Sequence, residues 1–120
     1  MRDFKKYEVW QDSIKLNVKI YSLTKLFPDD EKFGLISQIR RCSVSIASNI
    51  AEGASRSSEK EFSRFLEIAQ GSCFELETQI IISYNLKLID EESYKLVINS
   101  VLSISKQISG FKKKLKYVNV

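Results

Sequence analysis

The chain has 120 residues, of which 43% are hydrophobic and 28% are charged, and its formal net charge at neutral pH is +4. This length and composition predict one globular domain over residues 1–120, since domains commonly hold about 100–150 residues. The start has no apolar signal segment, and no run reaches the roughly 18 apolar residues that a membrane span needs. We therefore expect a cytoplasmic protein with no membrane partner. The mildly basic charge is compatible with an anionic partner but does not identify one.

The residues that most enzymes and metal sites require are missing from the sequence. There is no histidine, which removes the commonest general base and a usual ligand of di-iron helix bundles. Cys42 and Cys73 fall at predicted core positions and match no zinc pattern. The four glycines form neither a phosphate-binding loop nor a dinucleotide fingerprint. The sequence therefore predicts no enzyme, no metal, no cofactor and no small-molecule substrate.

Apolar residues recur at helical spacing in four segments, and no segment alternates as a strand does. The first predicted helix covers about residues 9–26, and the second begins near Asp30 or Glu31 and ends before a C′ glycine at Gly53. Ser58 is the predicted cap of the third helix, and Asp90 that of the fourth. Four helices joined by short links predict an all-α, up-down-up-down antiparallel four-helix bundle.

Regular apolar stripes predict which residues are buried. The third and fourth helices carry coiled-coil-like seams. We expect these seam residues in the core: Leu66, Leu76, Val101 and Ile108. On the first helix we expect one stripe to face the core: Trp10, Ile14, Val18 and Tyr21, widened by Leu16, Ile20 and Leu23.

The second predicted helix is apolar or small on most of its surface, and residues 42–51 carry no charge. A chain this short can hardly enclose such a helix by itself. We therefore expect one of its faces to meet another subunit. The predicted interface residues are Ile36, Val44, Ala47 and Ala51.

Two groups of cations are candidates for nucleic-acid contact. Arg40 and Arg41 either pair with a carboxylate or contact phosphate, because arginine serves both with the same bidentate geometry. The lysines at the end of the fourth helix either favour the helix dipole in solvent or contact phosphate. The candidate nucleic-acid-binding residues are Arg40, Arg41, Arg56, Lys112, Lys113, Lys114 and Lys116.

Four polar residues are assigned structural roles. Asn49 and Glu52 flank the end of the second helix, and we expect their hydrogen bonds to fix the turn at Gly53. Glu52, Glu75 and Glu77 are the carboxylates available to the two arginines. Glu75 and Glu77 lie two residues apart on a helix and point in different directions, which argues against an acid–base pair.

Four motifs give the chain a family resemblance. They are W-Q-x-S at residues 10–13, F-P-x-x-E-x-F-G-L-x-x-Q-I-R-R at 27–41, S-I-A-S-N-I-A-E-G at 45–53 and F-x-R-F-L-x-I-A-x-G-S-x-x-E-L-E at 62–77. With these motifs the chain resembles the four-helix-bundle family of 23S rRNA intervening-sequence proteins. A related branch comprises accessory proteins of diversity-generating retroelements.

The resemblance implies a bacterial up-and-down bundle that assembles as a ring-like homopentamer. The related branch implies basic pentamers that engage a reverse transcriptase and nucleic acid. We therefore expect a non-enzymatic homo-oligomer that binds RNA, such as rRNA, or another nucleic acid through basic residues. The alternative is an interaction scaffold or a reverse-transcriptase accessory protein without RNA specificity of its own. Salt-dependent binding to RNA separates the two, because phosphate contacts weaken steeply with ionic strength.

Overall fold

Four α-helices make up most of the chain in a computed structural model, which describes residues 2–115. They are α1 (Glu8–Thr24), α2 (Leu35–Ala54), α3 (Glu59–Asn85) and α4 (Glu91–Lys114). Each helix packs against the next, and α4 returns to pack against α1. No strand occurs in residues 2–115, and the predicted all-α four-helix bundle is confirmed.

The starts of α3 and α4 follow the predicted cap residues. Ser58 Oγ accepts a hydrogen bond from the Glu61 N–H at 3.1 Å, and Asp90 Oδ1 accepts one from the Ser93 N–H at 2.7 Å. The hydrogen bond from the Ser93 backbone lowers the pKa of Asp90 below its usual range. Between these helices, Lys87 adopts the left-handed conformation with a φ of 64° and turns the chain towards α4.

The start of α2 differs from the prediction. A helix was expected from Asp30 or Glu31, but Asp29–Glu31 forms only a single 3-10 turn. The α-helix begins at Leu35, because Gly34 has φ and ψ of −106° each, outside the helical region. The prediction relied on the acidic residues, which are favourable at the start of a 3-10 turn as well as at the start of an α-helix.

Gly53 lies inside α2, so its predicted role as a C′ glycine is wrong. A Cβ atom at Gly53 would lie 2.7 Å from the Cβ of Phe65 and 2.9 Å from Cδ1 of Phe62. Both distances are shorter than the contacts that Cβ atoms make in real proteins. Close packing of α2 on α3 therefore requires glycine at this position.

The predicted seams of α3 and α4 form the centre of the core. Leu66, Leu76, Val101 and Ile108 are almost completely buried. Cys42 and Cys73 are buried free thiols, as predicted. Burial raises the pKa of Cys73 to about 12, which keeps this thiol protonated and unreactive at neutral pH.

The apolar stripe predicted for α1 is buried only in part: Leu16 and Ile20 are buried as expected. Ile14, Val18 and Tyr21 lie on the outside, and Val18 is 63% exposed. The true core face includes Ser13 and Thr24, whose hydroxyls donate to backbone carbonyls one turn earlier at 2.7 and 2.8 Å. This local bonding allows hydroxyl residues to be buried, so counting apolar residues alone made the predicted face too wide and missed these two residues. The buried residues of α1 are Val9, Ser13, Leu16, Ile20 and Thr24.

Candidate nucleic-acid interface

One end of the bundle, where α1 and α3 begin and α2 and α4 end, carries an excess of cations and is called the basic end below. Within residues 2–115, nine cationic residues lie at this end: Arg2, Lys5, Lys6, Arg56, Lys60, Arg64, Lys112, Lys113 and Lys114. They outnumber the carboxylates of the same end, which are Asp3, Glu8, Glu52, Glu59, Glu61 and Glu67. A local excess of one charge raises the concentration of oppositely charged partners nearby.

The opposite end of the bundle has the other sign of charge at its helix starts. Acidic residues lie before α2 and at the start of α4: Asp29, Asp30, Glu31, Asp90, Glu91 and Glu92. Negative charge is favourable at these positions because the N-terminus of a helix is partly positive. The two ends of the molecule therefore suit different partners.

Arg2 fastens the N-terminal segment to the turn between α2 and α3. Its Nη1 donates to the carbonyl oxygen of Ala54 at 3.3 Å and also to that of Arg56. Its guanidinium carbon lies 4.9 Å from the ring centroid of Phe62. The last carbonyls of a helix have no partner inside the helix, and Arg2 satisfies that of Ala54, the last residue of α2. Sequence reasoning missed Arg2, because its partners lie more than fifty residues away.

Arg56 is held in place by two neighbours. Its Nη2 lies 2.9 Å from Oε1 of Glu52, and its guanidinium carbon lies 4.7 Å from the ring centroid of Phe65. The buried Nε has no hydrogen-bond partner within residues 2–115. Arg56 therefore keeps an unused donor, and an unpaired buried N–H group is energetically unfavourable.

Two guanidinium groups border one cavity at the basic end. The cavity is open to solvent and has a volume of about 760 Å³. Guanidinium and hydroxyl groups together form the kind of donor set that binds phosphate oxygens. The residues that line the cavity are Arg2, Phe4, Ala54, Ser55, Arg56 and Ser57.

The lysines at the end of α4 lie at the same end of the bundle. Lys112 Nζ is 3.4 Å from Oε1 of Glu67 and is largely covered. Lys113 and Lys114 are exposed in the last turn, where the helix dipole favours cations. Their charges face solvent and are available to a polyanion. The remaining candidate, Lys116, lies outside the described residues.

Arg40 and Arg41 lie apart from the basic end. Arg40 Nε donates to Oγ1 of Thr24 at 2.9 Å, and its guanidinium carbon lies 4.5 Å from the ring centroid of Tyr21. A hydroxyl and an aromatic ring on α1 thus take the place of the expected carboxylate. Arg41 is exposed on α2. Within residues 2–115, neither arginine forms an ion pair with Glu52, Glu75 or Glu77.

The polar residues that were assigned structural roles differ in the groups that they contact. Asn49 Nδ2 donates to the carbonyl oxygen and the hydroxyl of Ser45 at 2.8 and 2.9 Å, so it does not cap the turn at Gly53. Glu52 pairs with Arg56 near that turn. Glu75 accepts a hydrogen bond from the thiol of Cys42 at 3.3 Å. Burial and then this hydrogen bond raise the pKa of Cys42.

Glu77, the third carboxylate considered for the arginines, is half-buried on α3. Its negative charge adds to the effect of burial in raising the pKa of Cys73. The α2–α3 contact nearby is polar as well as close, since the hydroxyls of Ser45 and Ser72 are hydrogen-bonded at 2.9 Å. These serines lie between closely packed helices, and within residues 2–115 their hydroxyls are bonded to each other and, for Ser45, to the Asn49 amide, neither of which is a base.

The predicted interface residues of α2 do not share one exposed face. Ile36 and Ala47 are buried within the single chain, because α1 covers this side of α2. Val44 is 40% exposed and Ala51 is half-buried, so these two remain available to a neighbour. They lie on the same side as the exposed residues of α1. The outer α1–α2 face is defined here as Ile14, Val18, Tyr21, Val44 and Ala51.

Neither a metal cluster nor a membrane span is found in the described part of the chain. Within residues 2–115, no three His, Cys, Asp or Glu side chains lie together in a way that could hold a metal ion. Among those same residues, every helix is too short or too polar to cross a membrane.

Comparison with known proteins gives a family match over most of the chain. Residues 5–110 match the model of the 23S rRNA-intervening sequence protein family. A solved structure of a protein of unknown function from the S23 ribosomal protein family of Bacteroides thetaiotaomicron is similar, with a TM-score of 0.82 and 28% identity over 88% of this chain and 99% of that chain. No curated protein matches the chain. These findings indicate no family of enzymes, and the matched range ends before Lys112.

Proposed function

Because the chain belongs to the 23S rRNA-intervening sequence protein family, we propose that it is a non-enzymatic, homo-oligomeric protein that binds RNA through its basic end. The observation that carries this proposal is the pair of guanidinium groups, Arg2 and Arg56, at one open cavity. Both are positioned by contacts with their own chain before any ligand arrives. Positioned arginines suit phosphate, because their planar donors match its oxygens.

The exposed lysines extend the same surface. Lys113 and Lys114 lie on the last turn of α4, at the end of the bundle that also holds the cavity. Cations spread over one end match the repeated phosphates of a strand better than they match one small anion. We infer binding to the backbone of RNA without base-specific recognition, in the cytoplasm.

Two features support a non-enzymatic role. The chain has no histidine, and both thiols are buried with raised pKa values. A nucleophile needs a lowered pKa or an adjacent base. At Cys42, burial and the bond to Glu75 outweigh the lowering effect of Arg41 on the pKa, so the thiol stays protonated.

A homo-oligomer is supported by apolar residues that the single chain leaves in contact with water. The outer α1–α2 face is one such region. A ring of five subunits follows from the family resemblance alone, because residue spacing does not set the number. In a ring, the basic ends of several copies would lie on one side and increase the affinity for a long polyanion.

The test is the binding of a fluorescent single-stranded RNA, followed by anisotropy between about 50 and 200 mM salt. Affinity should fall steeply over this range. The double variant Lys113→Gln/Lys114→Gln should reduce the slope of log affinity against log salt by about 1.4, at ~0.7 for each lost contact. The matched control is Lys25→Gln/Lys32→Gln, because these exposed lysines lie at the opposite end. The proposal is wrong if RNA fails to bind at low salt, or if the control lowers the slope equally.

A second candidate function, a scaffold for another protein, is favoured by one observation. Leu26 and Phe33, in the connection between α1 and α2, are 80% and 91% exposed. Large apolar side chains in water are typical of protein contact sites. This function replaces RNA binding if the RNA experiment fails while Phe33→Ser abolishes the binding of a protein partner such as a reverse transcriptase.

A further inference from the structure

A groove runs along the outside of the bundle between α1 and α4. Three cavities open along it, with volumes of about 410, 370 and 260 Å³ in order from the basic end. Gln107 lines the first cavity, and its amide donates at 2.9 Å to Asp12, which lines the second. Lys19 and Leu96 line both the second and the third. The cavities are therefore neighbours in one groove, which begins beside Lys114 at the basic end.

Two lysines of α1 border the middle of this α1–α4 groove. Lys15 and Lys19 line the second cavity, and within residues 2–115 neither takes part in an ion pair. They are four residues apart, about 6 Å along the helix axis, and share one face. Like charges at this spacing destabilise a helix. The facing helix does not offset them, because residues 93–114 contain no Asp or Glu.

The carboxylates that border the groove lie towards the basic end. Glu8 lines the first cavity together with Lys114. Asp12, in the second cavity, accepts the hydrogen bond from Gln107. Beyond Asp12, residues 13–28 contain no Asp or Glu. The middle of the groove therefore carries positive charge that no carboxylate of either wall neutralises, and such a surface attracts a polyanion.

Uncharged polar groups lie beside the two lysines. The amide of Asn99 and the hydroxyls of Ser100 and Ser103 line the second cavity. Side chains of these types bond phosphate oxygens and the 2′-hydroxyl of ribose. The second cavity thus combines cations with the hydrogen-bonding groups that contact the backbone of RNA.

Gly110 lies at the first cavity, between the basic end and the lysines of the groove. A Cβ atom built there meets nothing within 4 Å, so packing within the described chain does not require glycine. Glycine is less favourable than alanine inside a helix. Its absent side chain allows the backbone of a ligand to approach α4 closely.

The width of the groove limits what can enter it. Helices in contact have axes about 8–10 Å apart, so the groove between α1 and α4 admits one strand and excludes a duplex, which is wider. From Lys114 to Leu96 the groove is about 27 Å long at 1.5 Å rise per residue. This length accommodates several nucleotides of a single strand.

We propose that a single strand of RNA runs from the basic end along the α1–α4 groove, with Lys15 and Lys19 against its phosphates. This inference rests on the RNA binding of the proposed function and adds the path of the strand. Grooves that bind single strands combine cations along the backbone with site sizes of about 4–16 nucleotides.

The first experiment removes the charges of the groove. For a fluorescent single-stranded RNA of about 16 nucleotides, Lys15→Gln/Lys19→Gln should reduce the slope of log affinity against log salt by about 1.4, at ~0.7 for each lost contact. Affinity at about 0.1 M salt should fall roughly tenfold or more. The matched control, Lys25→Gln/Lys32→Gln, loses the same charge at residues that line none of the three cavities, and should keep the wild-type slope.

The second experiment fills the first cavity without changing charge. Gly110→Gln should weaken binding of the same RNA about tenfold, because its side chain occupies space that the strand needs. Gly71→Gln on α3 is the matched control and should bind RNA as the wild type does. A Cβ atom meets nothing within 4 Å at either position, and glutamine is a good helix former. Both variants should therefore keep the helical circular dichroism of the wild type.

The outcomes separate this inference from the proposed function. If Lys113→Gln/Lys114→Gln lowers the salt slope and Lys15→Gln/Lys19→Gln does not, the basic end binds RNA and the path along the groove is wrong. The inference is also overturned if Gly110→Gln binds RNA as the wild type does.

Double-stranded RNA of the same length provides a further test. Its salt slope should change little in Lys15→Gln/Lys19→Gln, because a duplex does not enter the groove. An equal loss of slope for duplex and single strand would overturn the inference. If no RNA binds at low salt, the proposed function and this inference are both wrong.

Discussion

Gly53 and Gly71 are both helical glycines, but their surroundings differ completely. Gly53 packs against Phe62 and Phe65 so closely that a single methyl group would not fit. Gly71 has open space where its side chain would be. Packing within one chain explains why residue 53 is a glycine, but no contact within the chain explains the glycine at position 71. Packing within one chain therefore requires glycine at position 53 and does not require it at position 71.

The largest expected effect concerns the inside of the bundle. Leu76→Ala should lower the free energy of unfolding by ~2–5 kcal/mol, because Leu76 is fully buried and the truncation leaves a cavity. Leu102→Ala is the matched control on an exposed part of α4, with an expected change within about 0.5 kcal/mol. Chemical denaturation measures both. Equal losses of unfolding free energy in the two variants would mean that Leu76 is no more buried than Leu102.

The two glycines should respond to alanine with opposite signs. Gly53→Ala should destabilise the chain by about 1–2 kcal/mol, because the cost of overpacking against two phenylalanines exceeds the gain in helix propensity. Gly71→Ala should stabilise it by about 0.5–1 kcal/mol, because only the propensity changes. Unfolding by urea in dilute solution, where copies are dissociated, makes the comparison. A loss of stability at Gly71 would contradict the open surroundings described here.

The smallest expected effect is the pH dependence of the α4 cap. The pKa of Asp90 is lowered in the folded chain by the Ser93 N–H, so its carboxylate contributes stability above its unfolded pKa, and this contribution is lost as the pH falls through the lower folded value. The difference in melting temperature between wild type and Asp90→Ala should therefore be largest at neutral pH and shrink at acid pH. A difference that grows on acidification would contradict this role.

The sequence predicted what depends on neighbours along the chain. The caps at Ser58 and Asp90 and the seam through Leu66 follow from local spacing, and the structure confirms all three. The core face of α1 was predicted only in part: Leu16 and Ile20 are buried, but Ser13 and Thr24 were missed because they satisfy their hydroxyls within the helix and can be buried. The spacing of apolar residues does not indicate that a serine or a threonine is buried.

The candidate site was harder to predict than the fold. Arg56 and the lysines at the end of α4 were predicted as candidate binding residues. Their position beside Arg2 at one end of the bundle depends on the tertiary fold. A carboxylate or a phosphate was expected as the partner of Arg40, and within the chain the ring of Tyr21 and the hydroxyl of Thr24 contact it. Such partners are brought together only by tertiary packing. Ala47 was expected at a subunit contact and is buried within the chain, so Val44 is the better position for testing assembly.

The central claim of the proposed function is that copies of this chain associate and cover the outer α1–α2 face that one copy leaves exposed. Light scattering on the wild-type protein at tens of micromolar tests it most directly. The account predicts a molar mass several times the 13.9 kDa of one chain. A mass of 13.9 kDa at every concentration, with the protein folded, would contradict the account.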